Sequence, residues 1–438
     1  MAMIDQVAAH LERLSLRPPE SPIVFSEEQN QFVDRAVVER CNLLLVAPAG
    51  YGKSAVIKTI IERFDGSLTP ATYALCAPTG KAASLIGGRT LHSFLGIGRG
   101  DGSANDWIKR VYSKTKTTLR GVQVILIDEI SMVSAEFLDK ISKYLQLIRD
   151  NHLPFGGVQM ILVGDLCQLP PVKGDFVFRS AEFAQGEFRP YQFTECFRQN
   201  DSDFINLLNE VRFARCSEQT METLRKCTTI DPDYANGLSP MQIVSTNEEV
   251  DSINRHELQE FVRRNNDEVV EYRVRIPNPR NMQKAKKYQN ADNIPELVEI
   301  AVGCQVVVTQ NIGHGIVNGT QGYITAANLN SINMRLRDGN IATIEYFDFK
   351  DLQHPDVFQA NTLFSYLPVR LGYASTVHKA QGMTLKLLEV DFKRTFAHGQ
   401  LYTALSRVTD LRGLIVKNLT KSAFICNRAV VEFYDGLE

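Results

Sequence analysis

Asn42-Leu-Leu-Leu-Val46 runs directly into Ala47-Pro-Ala-Gly50-Tyr-Gly52-Lys53-Ser54, and a helical pattern follows from Ser54 to Phe64. An apolar run, a turn with two glycines and a helix opening on Lys-Ser is an arrangement in which backbone can wrap phosphate oxygens. Ala49, Gly50 and Gly52 offer N–H groups that curl around the phosphates, and the helix N-terminus adds a favourable dipole. Lys53 is expected to reach the β- and γ-phosphates of a nucleotide, and the Ser54 hydroxyl to ligate magnesium. The first position of the loop is Ala47, where glycine is commoner; alanine there needs only a permissive backbone angle. A Gly-Lys-Ser triplet alone arises easily by chance, so the reading rests on its partners.

The first partner is Val124-Ile-Leu-Ile-Asp128-Glu129. A buried strand that delivers an acid at its carboxyl end puts that acid where magnesium is held beside the phosphates. Asp128 is expected to hold the metal through water. Glu129 is expected to polarise the attacking water, which makes this a hydrolase site. A solvated acidic turn is the bland alternative, and two adjacent acids after four apolar residues weigh against it. The second partner is Gly164-Asp165-Leu-Cys-Gln168-Leu-Pro-Pro-Val172. Gln168 can hydrogen-bond the γ-phosphate and report its loss, while the prolines stiffen the path away.

Around these segments the chain alternates apolar strands (Thr72 to Cys76, Val122 to Ile127, Gln159 to Val163) with amphipathic helices (26 to 40, Ala135 to Arg149), the pattern of a parallel sheet covered on both faces. From Glu296 to Phe349 the rhythm changes to short β-branched segments between Gly and Asn turns, which predicts a small antiparallel barrel. The α/β rhythm returns after Leu367, so the barrel reads as an insertion. With 438 residues, two to four domains are expected. Hydrophobic content of 44% with 22% charged residues excludes a disordered chain, and no apolar run approaches a membrane span. Residues 1 to 20 lack the apolar core of a secretory signal. Eight scattered cysteines with no Cys-x-x-Cys pair predict free thiols in a reducing interior and no structural metal. The net charge of −2 says nothing for a nucleic-acid partner. Basic runs at 109–120 and 273–287 are read first as solvated surface.

The segment Phe155-Gly-Gly-Val-Gln159 through Val172 resembles the signature of the Pif-type (petite integration frequency) DNA helicases, relatives of RecD in superfamily 1B. The resemblance extends from about Phe25 to Tyr434. Ser26 to Gln29 looks like an adenine-reading motif, with Gln29 the adenine contact. Ala77-Pro-Thr79-Gly-Lys81-Ala-Ala and Thr90-Leu-His92-Ser-Phe94 are similar to the first DNA-contacting motifs. Glu195-Cys-Phe-Arg198-Gln199, Thr376-Val-His378-Lys379-Ala-Gln381-Gly382-Met-Thr384 and Tyr402-Thr-Ala-Leu-Ser406-Arg407-Val resemble motifs IV, V and VI. Val302 to Thr309 and Val317-Asn318-Gly-Thr320 resemble the family's Src-homology-like subdomain.

The resemblance implies an α/β fold with two RecA-like domains. One is expected over 25–200, carrying a wedge insertion at about 97–119, and one over 201–260 and 366–438. An SH3-like barrel is expected over 261–365, and residues 1–24 read as a helix and linker. It implies ATP and Mg²⁺ as cofactors, with Gly382 added to the nucleotide contacts. It implies single-stranded and forked DNA as partner, gripped by Thr79, Lys81, His92, Phe94, Asn318, Thr376, His378 and Lys379. Arg198 and Arg407 are expected to meet the γ-phosphate as the domains close, since guanidinium forks suit phosphoryl oxygens. His378 has a structural alternative as a satisfied histidine. Trp107 either serves the wedge or packs it onto its domain. Further expectations are 5′-to-3′ movement, RNA–DNA hybrid or guanine-quadruplex substrates, a monomeric motor, an intracellular setting and a core enzyme without accessory domain. Three rivals remain: a phosphate-loop ATPase switch that does not translocate, a non-catalytic strand-binding protein whose loop is disabled by Ala47, and an RNA helicase of similar build.

Overall fold

The computed structural model describes residues 25–69, 72–197, 201–291, 293–313, 315–350, 362–394 and 397–437. The expected N-terminal helix and linker at 1–24 lie outside the described residues.

Six parallel strands form the first sheet: β1 (Leu43–Val46), β2 (Tyr73–Ala77), β3 (Arg89–Thr90), β4 (Val124–Ile127), β5 (Gln159–Gly164) and β6 (Arg189–Gln192), in the order β3-β2-β4-β5-β1-β6. Every residue of β1, β4 and β5 is buried. Alternate residues feed two cores, as side chains of period two must. Leu44, Val46, Ile125, Ile127, Met160 and Leu162 point into one. Leu43, Leu45, Val124, Leu126, Ile161 and Val163 point into the other. The register pairs Val46 with Gly164 and Ile127 with Leu162, so the carboxyl ends of the three strands open on one edge. Gly164 has to be glycine, because a Cβ there would lie 2.9 Å from the Ile130 amide nitrogen.

The first helix is Glu27–Asp34, capped by Ser26, and it passes into a π-helical turn at Arg35–Glu39. Glu28 is an acid in the first turn and accepts hydrogen bonds from Thr194, and Gln29 completes the capping box. The 97–119 segment contains two short helices, Ala104–Arg110 and Ser113–Gly121. Trp107 is buried, edge-on to Tyr144 (5.5 Å) and Phe137 (6.0 Å), and its indole N–H donates to the Asp101 carbonyl. Of its two readings, packing onto the domain is the one observed.

A second parallel sheet joins β7 (Met241–Val244) to strands that come much later in the chain. Between them lie β8 (Val270–Arg273), β9 (Leu297–Ile300), β10 (Gln305–Val308), β11 (Gln321–Ala327), β12 (Ser331–Leu336), β13 (Ile341–Glu345), β14 (Phe347–Lys350), β15 (Thr362–Tyr366) and β16 (Val369–Leu371). Then β17 (Ala374–Thr376), β18 (Leu388–Asp391) and β19 (Leu414–Lys417) complete the order β17-β7-β18-β19. The intervening strands are antiparallel, as the glycine-punctuated alternation predicts. They form a five-stranded sheet, β13-β12-β11-β10-β16, and two separate two-stranded ribbons. No ladder joins β13 to β16 among the described residues, so the expected barrel is not borne out there and the strands pair as a sheet.

One buried polar knot ties the first sheet to the second body. Asp165, just past β5, is fully buried. It accepts from Arg212 Nη2 (2.9 Å) and Nε (3.2 Å), from the Tyr402 hydroxyl (2.7 Å) and from the Tyr434 hydroxyl (3.1 Å). These donors come from three helices, Ser202–Arg212, Gln400–Leu405 and Arg428–Asp435. Burial alone would raise the Asp165 pKa; the charges of Arg212 and Lys53 outweigh it and hold the carboxyl below its ordinary value. Removing one partner of such a pair strands the other charge in the interior. Arg212→Ala is therefore expected to cost about 3–5 kcal/mol of stability in a denaturant titration, and an unchanged midpoint would contradict this account.

Candidate nucleotide and nucleic-acid sites

The loop after β1 has the geometry that its glycines predict. Gly50 and Gly52 lie at φ +93° and +82°. A Cβ on Gly52 would fall 2.5 Å from Gln29 Nε2, so the loop closes against the Gln29 side chain only with glycine. Ala47 is buried, donates to the Gly164 carbonyl and has no positive φ, which is why alanine is accommodated. Lys53 Nζ is turned back onto the Ala47 (2.7 Å) and Pro48 (2.8 Å) carbonyls. Ser54 stands exposed in the first turn of the Lys53–Ser67 helix. Gln29 is buried; its oxygen accepts from the Ser26 amide and its Nε2 donates to the Tyr51 carbonyl.

At the end of β4, desolvation and then the charge of Glu129 push the Asp128 carboxyl up to about 7. Two acids are thus crowded where the register brings the loop alongside. Glu129 holds a left-handed conformation, φ 54° and ψ 45°, which costs a non-glycine residue free energy and is kept only by its surroundings. Its Oε2 accepts from Gln381 Nε2 at 2.9 Å, and the same nitrogen lies 3.3 Å from Gln168 Oε1. Arg407 is buried, pinned by the Thr403 carbonyl and the Ser406 hydroxyl, and the Glu129 charge acts on it directly. Arg198 lies outside the described residues.

Behind this edge, between the first sheet, the second sheet and the inserted strands, runs a cleft of about 730 Å³. Thr79, Lys81, His92, Glu129, His378 and Lys379 line it. Thr376 joins His378 and Lys379 in a smaller adjoining pocket of about 340 Å³. Lys81 Nζ donates to the Lys379 carbonyl at 2.8 Å. Burial, then the neighbouring charges of Arg370, Lys379 and Arg407, brings the Lys81 ammonium down to about 7. Burial lowers His92 and His378 too, so both rings are biased to the neutral form.

Three expected contacts are placed elsewhere. Phe94 is a core residue, 3% exposed with the Arg89 guanidinium over its ring, because it completes the apolar face of the short Leu91–Leu95 helix. Asn318 is buried outside the cleft lining, its backbone joined to Asn311 and Thr384 and its side-chain amide without a partner among the described residues. Gly382, expected at the nucleotide, lies in the cleft wall, 3.3 Å from Leu85 by its would-be Cβ.

The PIF1-like helicase model matches residues 24–222. The chain is similar to the human ATP-dependent DNA helicase PIF1, 32% identical over 442 residues that cover 98% of this chain and 66% of that one. It therefore spans just under two thirds of that relative's length. The crystal structure of Pif1 helicase from Candida albicans superposes with a TM-score of 0.75 at 31% identity, over 95% of this chain and 100% of that chain. This chain belongs to the PIF1-like helicase family. Pif1 from Bacteroides sp in complex with ADP-AlF4 gives a TM-score of 0.80 at 27% identity, covering 94% and 97% of the two chains, and the single-stranded-DNA-bound form from Bacteroides gives 0.65.

Three residues at these sites were not singled out from the sequence. Gln381 stood inside a quoted motif, so its signal was available. So was that of Phe197, which is 52% exposed, donates its amide to the Gly50 carbonyl and lies 3.5 Å from the would-be Gly52 Cβ. Arg370 carried none: an arginine between Val369 and Leu371 on a short strand reads as a solvated face, and only folding turns it into the cleft.

Proposed function

We propose that this chain is an ATP-driven motor that moves along single-stranded DNA, in the 5′-to-3′ direction, and unwinds duplexes. The observation that carries the reading is that Glu129 belongs to both sites: it ends the strand beside the phosphate loop and it lines the cationic cleft. A strand in the cleft and a nucleotide on the loop then meet at one carboxylate. The human relative is named an ATP-dependent DNA helicase, and the Bacteroides relative is seen with single-stranded DNA.

In this reading the loop amides and Lys53 take the phosphates, Lys53 leaving the Ala47 and Pro48 carbonyls to do so. Gln29 and the exposed Phe197 ring flank the place where the adenine would lie. Asp128 is desolvated beside a second acid, which the Lys53 charge offsets only in part, and this donor set fits a hard divalent cation. Ser54 and Asp128 would hold Mg²⁺, which neutralises β- and γ-phosphate oxygens when bound. Glu129 takes the proton of the attacking water while Gln168 contacts the γ-phosphate. Arg407 supplies charge to the phosphoryl group, with Arg198 joining it on closure.

In the cleft Lys81, Lys379 and Arg370 meet backbone phosphates, while Thr79, His92, Thr376 and His378 position the strand without reading bases. The 97–119 insertion serves as the wedge. Tyr112 is 81% exposed beside Lys109, Lys114 and Lys116, a surface suited to a duplex end. RNA–DNA hybrids and guanine quadruplexes are further substrates, the motor acts as a monomer, and its setting is intracellular. No described helix is long and apolar enough to cross a membrane.

ATP hydrolysis measured with and without single-stranded DNA should show strong stimulation, and Glu129→Gln should lower the stimulated rate about 10²- to 10⁴-fold. Hydrolysis indifferent to DNA would return the chain to the switch-ATPase class, and equal stimulation by RNA would favour an RNA helicase. Duplexes with a 5′ or a 3′ tail decide the direction. Strand phosphates favour the charged form of Lys81, so binding takes up a proton and weakens as pH rises. From pH 7 to pH 8 the affinity for an oligonucleotide should fall about fivefold, and Lys81→Arg should flatten that slope. Lys114→Glu with Lys116→Glu should slow unwinding while sparing DNA-stimulated hydrolysis; a parallel loss of both would remove the wedge assignment.

A further inference from the structure

Gln381 is held in a demanding position. It is 8% exposed, its Nε2 is shared between Glu129 Oε2 and Gln168 Oε1, and its Oε1 is buried without a hydrogen-bond partner among the described residues. An amide that leaves its acceptor unsatisfied gives up free energy for the sake of what its donor does.

The donor connects two sites. On one side is Glu129, whose left-handed backbone needs an external hold. On the other is the single helical turn Val377–Ala380, capped by the Thr376 hydroxyl on the Lys379 amide. Gln381 is the next residue, and Gly382 follows at φ +76°, a conformation that lets the chain pivot there. Two residues back, the Lys379 carbonyl accepts from Lys81, a bond that a strand phosphate competes for. Phosphate at Lys81 and Lys379 therefore disturbs the same turn that carries Gln381.

We propose that Gln381 is a positioning residue that restrains the Glu129 carboxylate while the cleft is empty and releases it when a strand occupies Lys81 and Lys379. Resting on the helicase reading, this supplies a specific link by which DNA turns hydrolysis on. In the restrained state one carboxylate oxygen is tied to the second body; in the released state Glu129 is free to take the proton of the water that attacks the γ-phosphorus, as the bond to the ADP oxygen breaks.

Gln381→Met keeps length and burial while removing the amide, and Gln381→Ala removes both. The measurements are kcat and KM for ATP without DNA and with saturating oligothymidine, together with oligothymidine affinity. For Gln381→Met the DNA-free kcat should rise about tenfold or more, the size of one hydrogen bond to a charged group, and the stimulation ratio should fall by the same factor. KM for ATP should stay near that of the parent chain, and oligothymidine should bind more tightly by up to the same factor, since binding no longer has to break the bond. A merely structural side chain would leave the ratio unchanged, with both rates falling together. A DNA-free rate that is unchanged or lower in both variants overturns the restraint while the helicase reading stands. A parent chain that DNA does not stimulate overturns both.

Discussion

Asp165 is a negative charge removed from water, and much of the molecule is arranged to answer it. Its carboxylate receives a guanidinium and two phenol hydroxyls, and the Arg212 guanidinium is itself stacked 4.5 Å from the Tyr434 ring centre. Each donor rides on a different helix of the second body, so the pair fixes three helices against the end of one strand. Such a contact is weak evidence of net stability, since desolvation consumes much of the attraction. What it gives is a unique arrangement: a slip of either body leaves a buried charge unanswered.

The proposed chemistry is laid out along the edge that this knot defines. Asp165 and Gln168 leave β5 together, so whatever holds Asp165 also sets the height of Gln168 relative to Glu129. Opposite them the cations Lys81, Lys379 and Arg370 face one another across the cleft with Asp251 as an acid acting on two of them. Burial presses all three pKa values down, and neighbouring cations press those of Lys81 and Lys379 further, as expected of a place that would welcome anions.

How much of this could be read from the sequence depends on whether chemistry or packing does the choosing. The phosphate loop, Asp128 with Glu129 and the Gln168 segment were legible, because each demands particular residue types at a strand's carboxyl end. Phe94 was misread because a motif lists residues without saying which way a helix turns them; three residues after Leu91, it faces the same apolar core. The inserted strands announced their antiparallel pairing through period-two patterning. Whether their edges meet depends on tilt and stagger, which no residue encodes alone. Within the basic runs some arginines are spent locally: Arg110 and Arg120 donate to backbone carbonyls, and Arg275 covers the Tyr346 ring.

The apolar core beneath the first sheet does not stop at the boundary between the bodies. Leu44, Ile127 and Leu162 belong to the same buried cluster as Ile243, Val390, Leu405 and Leu414. Parting the two bodies like a hinge would wet that seam, at about 25 cal/mol for every Å² uncovered. Sliding along it keeps oil against oil. The seam therefore opposes hinge opening as the Asp165 knot opposes slippage, and the two bodies are held in both directions.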